Sequence, residues 1–165
     1  RRLIYLPYLM GERTPHLNPN CRGVFFGLSA IHTKADMLRA VMEGVSYSLL
    51  DCFDILREMK VNVKEMMACG GGGKSRVWRQ MLADMYGCEV KTIKAQEGPA
   101  LGVAILAGVG AGIFPDVQTA CKEFIEQDTW CQPDAAAHAY YEKGHVLYQK
   151  LYQKLKDCYE DLAAL

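Results

Sequence analysis

The chain has 165 residues, with 19 basic side chains balanced by 19 acidic ones and half of the residues hydrophobic. That length fits one compact domain, residues 1–165, and the composition excludes disorder and fibrous repeats; the zero net charge removes the positive field that draws nucleic acid or an anionic membrane. No apolar run reaches the ~20 residues of a membrane-spanning helix, and the seven cysteines are scattered without a metal or redox pair, so buried reduced thiols in a cytoplasmic protein are expected.

In chain order, the opening Arg1-Arg2-Leu3-Ile4-Tyr5 reads as the entry to a buried strand rather than a secretory leader, because Glu12 and Arg13 follow without a small-residue cleavage pattern. A start directly on a strand, without an initiator methionine, is expected of a piece of a longer parent. Leu3 to Leu9 and Val24 to Leu28 have strand composition, and Asn18-Pro19-Asn20 with Gly23 supplies the turn, so the two are expected to pair. Thr33 followed by Asp36 is a capping signature. Leu38, Val41, Val45, Leu49, Cys52 and Leu56 then step by three and four, which predicts a long helix with that stripe buried. Gly44 within it costs about 1 kcal/mol relative to alanine, which close packing on another backbone would offset.

Lys64 to Cys69 predicts a strand, Gly70 to Gly73 a loop, and Ser75 to Tyr86 a helix with Val77, Met81, Leu82 and Met85 inward. After Gly87 a strand is expected at Glu89 to Ile93, then helices from Pro99 to Val109 and from Asp116 to Ile125. The final helix begins near Asp134 and carries Gly144, Leu147, Leu151, Leu155, Cys158 and Leu162 at helical steps. Its tyrosines, 140, 141, 148, 152 and 159, read as a packing stripe rather than a base-stacking surface, and His32, His138 and His145 as surface histidines without a metal-ligand pattern.

Three segments are candidates for chemistry. Four consecutive glycines between a strand and a helix carry a large entropic cost, which points to a ligand approaching the backbone; amides there suit an anion or the polar edge of a purine. A tight turn needing positive φ is the alternative, though one or two glycines would serve it. Gly72→Val is expected to weaken nucleotide binding more than folding. Gly73-Lys74-Ser75 is not a phosphate-wrapping P-loop, since residue 68, where that motif needs glycine, is alanine. Glu97-Gly98-Pro99-Ala100-Leu101-Gly102 opens a helix whose small residues permit close packing. Gly11-Glu12-Arg13-Thr14-Pro15-His16 is a polar cluster after a strand, with Arg13 free to bind a phosphate or to pair with Glu12.

Tyr8 to Pro15, Arg22 to Leu28, Asp36 to Gly44 and Gly70 to Asp84, taken in order, resemble the FGGY carbohydrate kinases, and most closely their pentulose-kinase branch. Gly23 through Glu43 follows the family's C-terminal signature, and Trp78 to Asp84 with Gly98 to Gly102 extends the match. The resemblance implies an α/β domain of the actin-like ATPase (ribonuclease H-like) fold, a mixed sheet flanked by helices. It implies the C-terminal, nucleotide-binding half of a two-domain kinase that uses ATP and Mg2+ to phosphorylate D-xylulose, or another sugar or polyol. Gly70, Gly71, Gly72, Gly73 and Ser75 match the adenosine-binding loop and helix start; Glu12 and Arg13 are candidate cleft residues. The family's general base and most sugar contacts belong to the N-terminal half, so no catalytic or metal-binding residue is assigned in this chain, which alone is expected to be inactive. Asp36, Asp51, Asp54 and Asp84 read as caps, helix faces or surface charges. A homodimer is left open as its assembly, and a non-catalytic nucleotide sensor is the rival reading.

Overall fold

The computed structural model describes residues 2–94 and 98–165, so Arg1 at the head of the first expected strand and Glu97 before the small-residue helix lie outside the described residues. The chain forms two compact units: Arg1–Val63, Asp84–Gly87 and Pro133–Leu165 make the first, Lys64–Ala83 and Cys88–Gln132 the second.

In the first unit, β1 (Ile4–Leu6) pairs antiparallel with β2 (Val24–Phe26), Ile4 opposite Phe26 and Leu6 opposite Val24. Both strands are shorter than their apolar runs, and β1 stops where Pro7 removes a ladder donor. Helix α1 (Lys34–Glu58) starts on a complete capping box: Thr33 Oγ1 accepts from the Asp36 amide at 3.3 Å, and Asp36 Oδ2 from the Thr33 amide at 2.7 Å. Its buried face differs from the expected one. Leu38, Leu49 and Leu56 are exposed, while Ala40, Gly44, Tyr47 and Asp51 turn inward. The reason is contact geometry rather than hydrophobicity. A Cβ on Gly44 would lie 2.2 Å from the Tyr5 carbonyl oxygen, so the α1 backbone rests directly on β1, beside the cluster of Leu3, Tyr5 and Ala40.

Helix α6 (Ala135–Ala163) begins where the Asp134 carboxylate accepts from the Ala137 amide at 2.7 Å. Its buried stripe is aromatic: Tyr141, Tyr148, Tyr152 and Tyr159, with Gly144, His145 and Leu151, while Leu162 and Cys158 are exposed. Tyr140 lies on the exposed side under the Arg2 guanidinium. At Gly144 a Cβ would meet the Tyr47 hydroxyl at 2.1 Å, so this glycine makes room for a tyrosine of α1. His145 is buried, not a surface histidine, because it bonds Asp51.

In the second unit, β3 (Glu65–Met67) runs parallel to β4 (Glu89–Ile93), and β4 pairs antiparallel with β5 (Gln127–Cys131), giving a mixed three-stranded sheet. β5 was not expected from the sequence: it is largely exposed and lacks apolar alternation, and Thr92 and Thr129 join it to β4 through their hydroxyls at 2.6 Å. Between β3 and β4 stand α2 (Gly70–Lys74) and α3 (Arg76–Tyr86). The glycine run is thus one helical turn, not the expected loop. Val77, expected inward on α3, is exposed; Met81 and Met85 are buried, and Ala83 joins Val90 and Cys131 in the core. α4 (Gly98–Gly110) and α5 (Val117–Phe124) follow β4; of the α4 glycines, Gly108 is the one that packs closely against a described residue, the Phe114 ring, and Val103 and Leu106 are exposed. All seven cysteines are free thiols, but Cys69 and Cys158 are exposed rather than buried.

Candidate functional site

A depression of about 550 Å³ opens over the glycine turn of the second unit. Its floor and walls come from Ala68 to Gly71, Gly73 and Lys74, from Arg79 on α3, from Thr92 and Ile93 on β4 with Lys94 just after it, and from Asp128 on β5. The chain reaches it through an extended Cys69 whose side chain makes no capping bond, so the first amides of α2 are not satisfied by that side chain. Arg79 donates through Nη1 to the Gly73 carbonyl at 2.6 Å, fixing the end of the turn, while its buried Nε has no hydrogen-bond partner. Lys94 pairs with Glu126, whose hydrogen bond raises the Lys94 pKa. Among the described residues, Lys74, Arg79 and Lys94 face Asp128 across the lining, and with Lys94 paired to Glu126 one positive charge is left over, which suits an anionic ligand.

The four glycines have different reasons to be glycine. Gly70 has φ +71°, a left-handed backbone that other residues rarely adopt. A Cβ on Gly73 would stand 2.9 Å from the Ala68 carbonyl, and one on Gly72 would press the Trp78 ring at 3.2 Å. Gly71 has neither constraint among the described residues: its φ is not left-handed and none of their atoms lies within 4 Å of the added one. The fold requires no glycine there. Gly72, the position the sequence reading chose for a blocking substitution, faces Trp78 and does not line the depression; Gly71 does. Ser75 is also absent from the lining. Its Oγ accepts from the Trp78 amide at 3.3 Å and its carbonyl from the Arg79 amide at 2.9 Å, so it starts α3.

Glu12 and Arg13 belong to the first unit, on a loop closed by the Glu12 amide to the Asn18 carbonyl at 2.9 Å and the Asn18 amide to the Glu12 carbonyl at 2.8 Å. Glu12 is a structural clasp: Oε1 accepts from the Arg13 and Thr14 amides at 2.8 and 3.2 Å, and Oε2 from the Ser48 hydroxyl at 3.2 Å. Arg13 is exposed beside a depression of about 520 Å³ lined also by Met10, Leu17 and Pro19. Behind the loop lies a polar cluster that sequence reasoning missed. Asp51, read as a helix-face or surface charge, is buried and accepts from His145 and Gln149; Asp84 is likewise buried and accepts from the Asp134 amide. The signal was available only as a polar residue in register with the inward face of α1. Among the described residues no three His, Cys, Asp or Glu side chains converge to hold a metal.

A mixed sheet flanked by helices, with a glycine turn following its first strand, is an arrangement of the actin-like ATPase class, and comparison with known proteins agrees. The sequence model of the FGGY family of carbohydrate kinases, C-terminal domain, matches residues 1–111, and the chain belongs to this family. It is 40% identical over 163 residues to a xylulose kinase of Staphylococcus epidermidis, covering 99% of this chain and 33% of that protein. It superposes on the crystal structure of ligand-bound xylulose kinase from Lactobacillus acidophilus with a TM-score of 0.86 at 33% identity, covering 97% of this chain and 32% of that one. Gluconate kinase from the same organism gives a TM-score of 0.87, also at 33% identity, with the same coverage. The chain therefore spans about a third of the length of these relatives. No helix among the described residues is long and apolar enough to cross a membrane.

Proposed function

We propose that this chain is the nucleotide-binding, C-terminal part of an ATP-dependent sugar kinase that converts D-xylulose to D-xylulose 5-phosphate. The observation that carries the reading is Gly71: a side chain is missing where the fold does not need it missing, at the lip of a positively lined depression. In this reading the turn from Gly70 to Gly73 presents its amides to the nucleotide, Gly71 leaves room for its approach, and Gly73 and Ser75 hold the turn against Ala68 and α3. Lys74, Arg79 and Lys94 supply positive charge for the phosphates. Mg2+ would arrive on those phosphates and neutralise their charge.

The reaction moves the γ-phosphoryl group to a sugar hydroxyl, whose proton passes to a base. Two carboxylates of the first unit are engaged elsewhere: Glu12 holds loop amides and Asp51 holds His145 and Gln149. The base and the sugar contacts belong to a part of the kinase beyond these 165 residues, so this chain alone does not turn over. Seven free thiols fit a reducing compartment, the cytoplasm.

The equal likeness to a gluconate kinase favours gluconate as the second acceptor to consider. The test is ADP release by the longer kinase with MgATP and D-xylulose, ribulose, glycerol or gluconate, with the 165-residue chain assayed alongside. Turnover of D-xylulose by the longer protein alone is expected. A different preferred sugar would overturn the acceptor, and silence across the panel would replace the kinase with a nucleotide sensor.

A further inference from the structure

The loop that carries Arg13 is anchored by one aromatic side chain, His16, and the surroundings of that ring are unusually specific. It stacks on Tyr152 of α6 with centroids 3.4 Å apart and planes 9° from parallel. Tyr148 donates its hydroxyl hydrogen to Tyr8 Oη at 2.8 Å, which leaves the Tyr8 hydrogen to be donated to His16 Nε2, 3.2 Å away. With the hydroxyls so oriented, Nε2 of the neutral ring accepts and Nδ1 carries the hydrogen, the tautomer assigned to the latch below. Across from the ring stands Asp51 of α1. Its Oδ1 accepts from His145 Nε2 at 2.7 Å and Gln149 Nε2 at 2.8 Å. Its Oδ2 is buried, has no hydrogen-bond partner, and lies 4.0 Å from His16 Nε2.

We propose that His16 and Asp51 form a protonation-dependent latch that sets the position of the Gly11–Pro19 loop and so of Arg13. A proton on His16 turns Nε2 into a donor that no longer accepts from Tyr8; to keep this partner the Tyr8 hydroxyl has to turn and offer its remaining lone pair. The charged acceptor that faces it, without a hydrogen-bond partner among the described residues, is Asp51 Oδ2, and shortening 4.0 Å to an ordinary hydrogen bond of about 2.8 Å moves the ring by about 1 Å. The backbone of His16 lies between the paired residues Glu12 and Asn18, so the loop moves with it.

The other charged groups around the ring are Glu12 on its own loop, His145 and Asp54 behind Asp51, and Lys156, Asp157 and Glu160 at the solvent side on α6. Burial holds the His16 pKa below the ordinary histidine value, against the opposing pull of Asp51 and Glu12. The Tyr8-bonded state thus prevails at neutral pH, and the Asp51-bonded state forms as the pH falls through that lowered value. This inference does not depend on the kinase reading.

The test is a ¹⁵N NMR titration of imidazole and amide signals of the 165-residue chain and of its Tyr8→Phe, Asp51→Asn and His16→Gln variants. Expected are the Nδ1–H tautomer for neutral His16 and movement of the Glu12 to Asn18 amides with the His16 midpoint. Tyr8→Phe, by removing a donor to the neutral ring, raises that midpoint. Asp51→Asn, by removing a nearby charge, lowers it by about one unit and abolishes the loop's response, as does His16→Gln. An Nε2–H tautomer, shifts of the same sign in the two variants, or a loop response that survives in His16→Gln and tracks His145 would overturn the latch.

Discussion

Replacing Gly71 with alanine should move folding and ligand binding in opposite directions. The new methyl group meets no described residue within 4 Å and the backbone is not left-handed, so no clash or backbone strain opposes it there. Alanine instead reduces the freedom of the unfolded chain. In a helix this gains roughly 0.5–1 kcal/mol, and near the start of a five-residue turn the lower figure applies. For a domain of this size that raises Tm by about 1–2 °C. A nucleotide approaching the same backbone loses access to one amide. A hydrogen bond to a charged group is worth about 1.5–3 kcal/mol, so MgADP affinity should fall about ten- to hundredfold. Thermal melting and calorimetric titration of the longer kinase, unsubstituted and Gly71→Ala, read both quantities. Unchanged affinity with a raised Tm would refute the site, and a joint fall of affinity and Tm would show that Gly71 serves the fold after all.

Gly44→Ala drives a methyl group into the Tyr5 carbonyl and should cost about 3 kcal/mol, seen as a lower denaturation midpoint at constant m. Thr33→Ala removes an acceptor from the α1 capping box and should cost about 1 kcal/mol by the same assay. For pH, the folded His16 pKa lies below its ordinary value of 6.5, so the unfolded chain binds more protons in the window between the two. This contribution is complete above 6.5 and is lost as the pH falls toward the lowered value; His16→Gln should flatten that part of a stability profile recorded by urea unfolding.

Where the sequence pattern and the contacts share a cause, the expectations held. The capping residues Thr33, Asp116 and Asp134 start α1, α5 and α6 because a side-chain oxygen three residues before an open amide is a local event. β4 spans the expected residues Glu89–Ile93, with Val90 and Thr92 buried in alternation. What failed was nonlocal. The close approach of Gly44 to another backbone was expected and is found, against the Tyr5 carbonyl, but the rest of the inward face of α1 follows it and the Asp51–His145 bond rather than the apolar stripe. β5 escaped notice because an edge strand with one buried residue needs no alternation. At the candidate site, the glycine run was legible as unusual, but the division of labour among its four members was not. That Gly72 serves Trp78, Gly73 serves Ala68 and Ser75 serves α3 depends on partners whose distances only the folded chain supplies. Thr92 and Asp128 join the lining by sheet register, Lys94 just past the end of β4 and Arg79 from α3, an assembly that no motif encodes.

The central claim is that a nucleotide binds over the glycine turn of the second unit. The most direct measurement is a titration of MgADP into the ¹⁵N-labelled longer kinase, following the amides of Gly70 to Lys74 together with those of Thr92 and Lys94. The account predicts saturable shifts at these positions, with Gly71 among the largest. Saturable binding that leaves the Gly70 to Lys74 amides unmoved would contradict it.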